Sequence, residues 1–156
     1  MLTKKKIEIC LKALNEKLKA ENIKGELCLY GGAVMCLAYN ARPMTKDVDA
    51  VFEPASKIRK AAVDVSKELH VSRDWLNDGV KGFLVKHKKK KLYDWSNLKV
   101  YIADPYYLLA MKCLASRVDS KDRSDIEFLI RKLKIKTLEP ISKRIKRTDL
   151  LGANMA

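Results

Sequence analysis

The stretch that decides the fold runs Glu26-Leu27-Cys28-Leu29-Tyr30-Gly31-Gly32, continues as an apolar run to Asn40, and closes on Arg42-Pro43-Met44-Thr45-Lys46-Asp47-Val48-Asp49-Ala50-Val51-Phe52. It reads as strand, tight glycine turn, helix, loop, strand. The two glycines let the backbone come close to something at the end of the first strand. Alternate residues of a strand share a face, so Asp47 and Asp49 are expected to project together while Val48, Ala50 and Phe52 turn to the core. Two adjacent carboxylates repel unless a cation lies between them. Hard oxygen donors of this kind suit Mg²⁺, which takes one or two carboxylates and completes its shell with water and substrate phosphates. The Gly31-Gly32 turn, with free N–H groups at a helix start, is a phosphate seat. A phosphate cradle followed by a paired-carboxylate strand is the equipment of metal-assisted phosphoryl or nucleotidyl transfer. The bland alternative is an ordinary turn followed by a solvated strand end.

The stretch Leu29-Tyr30-Gly31-Gly32 with Thr45-Lys46-Asp47-Val48-Asp49 resembles the first two motifs of the polymerase-β-like nucleotidyltransferase superfamily. Within it the chain looks most like small bacterial nucleotidyltransferases of the AbiEii/MenA toxin type. Leu109-Ala110-Met111-Lys112, Arg117, Lys121-Asp122 and Asp125 are similar to the helical motif of that group, so the likeness covers roughly residues 24–130. It implies an α+β nucleotidyltransferase fold, a small mixed sheet flanked by helices with a C-terminal helical segment. It implies that Asp47 and Asp49 hold Mg²⁺ and carry the chemistry. It also implies that Gly31, Gly32, Lys112, Arg117 and Asp122 bind the NTP; in the loop between, Arg42, Thr45 and Lys46 either meet the triphosphate or the surroundings of the metal, or form an exposed turn. The implied acceptor is an RNA hydroxyl, tRNA ends above all, or a protein hydroxyl, in a toxin or phage-defence role. Residues 98–102 depart from the pattern, because active members carry a third carboxylate on that strand and this chain has none there. Asp94 and Asp104 flank it. The alternative is therefore an inactive module of the same fold that binds nucleotide or nucleic acid, or an antitoxin; a third is a subunit that only docks a partner protein.

Composition bounds these readings. The chain has 156 residues, 47% of them hydrophobic, enough for one domain over 1–150 with a real core; residues 151–156 read as a frayed tail. No apolar run is long enough to span a membrane and no signal-peptide core is present. Cys10, Cys28, Cys36 and Cys113 each lie in an apolar segment and form no close metal-ligand pair, so they read as reduced, buried side chains of a cytoplasmic protein. The net charge of +14, from 33 basic and 19 acidic residues, favours a polyanion as partner.

The remaining elements follow from periodicity. Helices are expected over 3–21 (Ile7, Leu11, Leu14, Leu18 inward) and 55–69 (Ile58, Ala61, Ala62, Val65, Leu69 inward). Pro54 is expected at the first helical position. Residues 74–79 read as a loop, in which Trp75 either caps the core or stacks a base. Residues 82–85 read as a short strand or turn, and Lys86 to Lys91 as a lysine-rich hairpin tip that either holds a phosphate backbone or protects a sheet edge. Strands over 92–95 and 98–102 precede a helix capped by Asp104 and started by Pro105, running to about Arg117. Within it Lys112 needs a partner or an exit to solvent. A helix from Ser120 or Asp122 places Asp122 and Asp125 on one face, within reach of Arg117, Lys112 or a ribose. A last basic helix follows Thr137 and Pro140.

Overall fold

A computed structural model describes residues 1–84, 86–114 and 120–134. The chain divides into two compact units, residues 1–82 with 89–102, and residues 83–88 with 103–156. The elements in order are β1 (Leu2–Thr3), α1 (Lys4–Ala20), β2 (Gly25–Tyr30), α2 (Gly31–Leu37), β3 (Met44–Thr45), β4 (Val48–Glu53), α3 (Ala55–Leu69), β5 (Leu76–Asn77), a 3-10 turn Gly79–Phe83, β6 (Lys89–Asp94), β7 (Leu98–Ala103), α4 (Pro105–Leu114) and α5 (Ser120–Lys132). This is the expected α+β architecture with a mixed sheet.

In the first unit five strands run in the order β5-β4-β2-β7-β6. β2 pairs antiparallel with β4 and parallel with β7, and β4 pairs parallel with β5. β1 and β3 form a separate antiparallel pair. Burial alternates along β4 as the sequence requires: Val48, Ala50 and Phe52 are buried, while Asp49 and Val51 are half-buried. Leu27, Leu29, Leu98, Val100 and Ile102 add to the same core. Helix α1 contributes Ile7, Leu11, Leu14 and Leu18, all fully buried, and packs on α3, which contributes Ile58, Ala61, Ala62 and Val65. Leu69 is only half-buried, and Ser66 is buried with its hydroxyl donating to the Val63 carbonyl at 2.6 Å.

The ends of the helices have local causes. The Thr3 hydroxyl accepts from the Lys6 N–H at 3.2 Å and caps α1; Asn22, at φ +57°, ends that turn. Pro54 lies one residue earlier than expected, as the cap residue before α3, and His70 leaves α3 in the left-handed region. Asp104 caps α4 as expected: its Oδ1 accepts from the Tyr106 N–H at 2.8 Å, and Pro105 is the first helical residue.

Four readings change. Residues 74–79 are not all loop, because Leu76 and Asn77 pair with Val48 and Asp49. Trp75 has no exposed surface and its indole N–H donates to the Ala62 carbonyl at 2.9 Å, so it is a core residue and no base stacks on it. Residues 79–83 wind as a 3-10 turn. The lysine run is not a hairpin tip; it leads into β6 and forms its exposed first half on an edge strand, while 95–97 make the tip. Lys91 meets Asp94 at 3.2 Å, and Lys89 lies over the Tyr101 ring at 4.2 Å. Such an edge repels further strands. The helix expected after Thr137 and the tail 151–156 lie outside the described residues. Among the described residues no helix is long and apolar enough to cross a membrane.

Candidate functional site

The site begins where β2 stops. Tyr30 is the register partner of Asp49, and Gly31 follows at φ +62°, turning the chain directly into α2. A side chain is strained at that angle, and here it would also collide: a carbon built on Gly31 would lie 2.9 Å from Asp49 Oδ2. Glycine at 31 thus lets the backbone turn against the Asp49 carboxylate. Gly32 is crowded from the other side. A carbon built on it would lie 2.5 Å from Thr45 Oγ1 and 2.6 Å from Arg42 Nη1.

The segment between α2 and β4 folds back over the turn. The Ala41 N–H donates to the Met35 carbonyl at 2.9 Å, and β3 anchors the segment by pairing Thr45 with Leu2. Thr45 is 4% exposed, and its hydroxyl donates to the Asp47 carbonyl at 3.3 Å. Thr45 therefore touches both the glycine turn and the carboxylate segment. Asp47 and Asp49 are both half-buried, but β4 begins at Val48. Strand register holds Asp49, whereas Asp47 belongs to the lead-in held by Thr45.

The structure thus gathers Gly31, Gly32, Arg42, Thr45, Asp47 and Asp49 in one unit. Asn77 also belongs here, as the register neighbour of Asp49 on the other side of β4. Nothing in the sequence marked it: two paired residues are too short a strand to show a period. Its side chain accepts from the Gly79 N–H at 3.3 Å.

Among the described residues no three His, Cys, Asp or Glu side chains gather as a metal cage. Two half-buried aspartates are the donor set of a cation that keeps water and substrate oxygens in its shell, which is how Mg²⁺ binds. The residues present fit that ion. The strand β7 supplies no third carboxylate, since 98–103 contains none. The flanking acids are occupied elsewhere: Asp94 with Lys91, and Asp104 with the start of α4.

The other sequence candidates lie in the second unit. Lys112 of α4 meets Asp125 of α5 at 2.8 Å, their side chains 9% and 3% exposed. The lysine in an apolar helix thus has a buried partner in Asp125. Asp122 is in the first turn of α5, with its side chain outside the described residues, as is Arg117 altogether. Cys10, Cys28 and Cys36 are buried as expected, but Cys113 is exposed; all four are free thiols. Burial raises the Cys10, Cys28 and Cys113 thiols above the usual value, which keeps them protonated and unreactive.

No curated protein and no solved structure matches the chain. A family model does, over residues 7–149, and its description is "Nucleotidyltransferase of unknown function (DUF6036)". With a glycine turn closed against a carboxylate strand inside that matched span, the chain belongs to this nucleotidyltransferase family.

Proposed function

We propose that the chain is a Mg²⁺-dependent nucleotidyltransferase that moves a nucleotide from an NTP to a hydroxyl of an RNA, tRNA ends included, or of a protein. The observation that carries this reading is the closeness of the Asp49 carboxylate to the Gly31 turn, where an added side-chain carbon would lie 2.9 Å from Oδ2; a backbone turn fit for phosphates thus stands against a carboxylate fit for the cation. Helix α2 has only seven residues, so the turn's own N–H groups, and less its dipole, are what favour an anion. The Arg42 guanidinium beside Gly32 adds a fixed positive charge.

Asp47 and Asp49 would hold the cation, which when bound neutralises the triphosphate and steadies the leaving pyrophosphate. Gly31 and Gly32 keep side chains away from the phosphates, and Arg42 draws the triphosphate to the turn. Thr45 sets the Asp47 segment. The attacking hydroxyl oxygen bonds to the α-phosphorus, the α-to-β bridging bond breaks, pyrophosphate leaves and the hydroxyl proton passes to water. Rate comes from orientation and charge stabilisation. The likeness to the AbiEii/MenA toxin type supports a toxin–antitoxin or phage-defence role.

One observation favours a second reading. Since β7 offers no carboxylate, the chain can instead be an inactive module that binds nucleotide or nucleic acid, or an antitoxin. The deciding experiment incubates the pure protein with Mg²⁺, each labelled NTP and total tRNA, beside an Asp47→Asn/Asp49→Asn variant. Label moved by the wild type alone supports the enzyme. Binding of NTP or RNA that survives the double substitution, with no label moved to tRNA or to the protein itself, supports the module.

A further inference from the structure

A cavity of about 430 Å³ opens beside the carboxylate segment, lined by Thr3, Lys6, Lys46, His70, Ser72 and Trp75 among others. Its size is that of a ligand pocket, for which about 300–1,000 Å³ is usual. Its charge has one sign: Lys6 and Lys46 line it, with the His70 ring beside them, and no carboxylate does among the described residues. A chain with 19 acidic residues gathers cations here without interleaving any of them. The other large cavity, between the start of β2 and the β6–β7 tip, mixes Lys24 and Lys99 with Glu26, Glu53 and Asp94 and selects no sign.

The walls are built. Lys6 is half-buried and spends one N–H on the Leu69 carbonyl at 3.1 Å, which aims its ammonium at the end of α3 and leaves two donors. Trp75 is fully buried, and its carbonyl accepts from the Val48 N–H at 2.7 Å, tying the cavity floor to β4. Along the chain Lys46 lies between Thr45 and Asp47, so one lining residue of the cavity directly precedes the carboxylate segment.

We infer that this cavity binds phosphate, from either the backbone of an acceptor RNA or the tail of the NTP, next to the Asp47–Asp49 segment. The inference rests on the proposed function for its biological meaning, and on the cavity alone for its chemistry.

The test is binding, not turnover. Anisotropy of a short fluorescein-labelled single-stranded RNA and of a fluorescent ATP is measured with wild type and with Lys46→Gln/His70→Gln, at low and high KCl. Both side chains are exposed, so the variant should melt as the wild type does. Lys46→Arg should restore binding, and Lys60→Gln, an exposed lysine outside the cavity, serves as control. The expected result is RNA affinity weakened about fivefold or more, with a salt slope shallower by about 1. A loss confined to ATP keeps the phosphate site and names the NTP as its source. If neither probe weakens, or if Lys60→Gln weakens both as much, the inference is overturned. Loss of label transfer in the Asp47→Asn/Asp49→Asn variant leaves this result untouched, so the two readings fail separately.

Discussion

Substituting Gly31 by alanine tests the geometry on which the site depends. Two separate costs follow from the structure. An L-residue at φ +62° costs about 1–2 kcal/mol relative to glycine. Alanine also narrows the unfolded ensemble, which offsets part of that, by about 0.4–1 kcal/mol. The new methyl carbon would lie 2.9 Å from Asp49 Oδ2, about half an ångström inside ordinary contact, so the carboxylate must move. The net expectation is a loss of about 1–2 kcal/mol, read as a lower urea midpoint at unchanged slope. Asp49→Ala separates the two costs. In that background the methyl meets no carboxylate oxygen, so Gly31→Ala should cost only its backbone part. The cycle should then show a coupling of about 0.5 kcal/mol or more. Label transfer, where present, should fall further in Gly31→Ala than the stability loss accounts for, since the displaced group is the proposed cation ligand. A neutral Gly31→Ala, or one whose cost is the same with and without Asp49, would refute the claim that this glycine admits the carboxylate.

Three further outcomes are expected. Lys112→Met should cost about 3–5 kcal/mol in urea denaturation, because it strips the cation from a carboxylate only 3% exposed, and Lys112→Met with Asp125→Leu should recover most of that; equal losses in single and double variants would show that the pair does not couple α4 to α5. The Tyr93 phenol is pushed up to about 12, first by burial and then by its 3.0 Å bond to Glu8 Oε1. The unfolded phenol ionises near 10, so this contribution to stability is complete below pH 10 and is lost as pH rises towards 12. Ultraviolet titration should show a late tyrosinate step that Tyr93→Phe removes, and a variant with the same late absorbance as the wild type would contradict it. Trp75→Phe should lower the melting temperature through the lost bond to the Ala62 carbonyl and the void it leaves, and an unchanged melting temperature would contradict its place in the core.

What could be read from the sequence was what one face of an element determines. The β4 alternation, the α1 and α3 stripes and the Asp104 cap all follow from local chemistry, and the structure keeps them. The short strands β1, β3 and β5 could not be read. Each is a two-residue pairing imposed by its neighbour, with no period of its own. For that reason Asn77 went unmarked beside Asp49, while of the two readings of Trp75 the structure keeps the core one. Lys112 is the intermediate case. Its composition context demanded a partner, but choosing among the acids of the next helix needed the packing of α4 on α5.

The β7 strand carries the deeper lesson for mechanism. The fold brings β7 alongside β2 in parallel, Leu29 opposite Ile102, so its end reaches the same edge of the sheet as the glycine turn. A carboxylate there would sit one strand away from Tyr30, itself the partner of Asp49. The chain instead places Val100 and Ile102 in the core and Tyr101 on the other face, under the Lys89 ammonium. A third acid would have to meet that cation, and the lysine-rich edge would then neutralise it. An active enzyme of this kind passes its hydroxyl proton to water, and its rate should then keep rising with pH well above the carboxylate range; a rate that levels off there would assign the proton to one of the two aspartates instead.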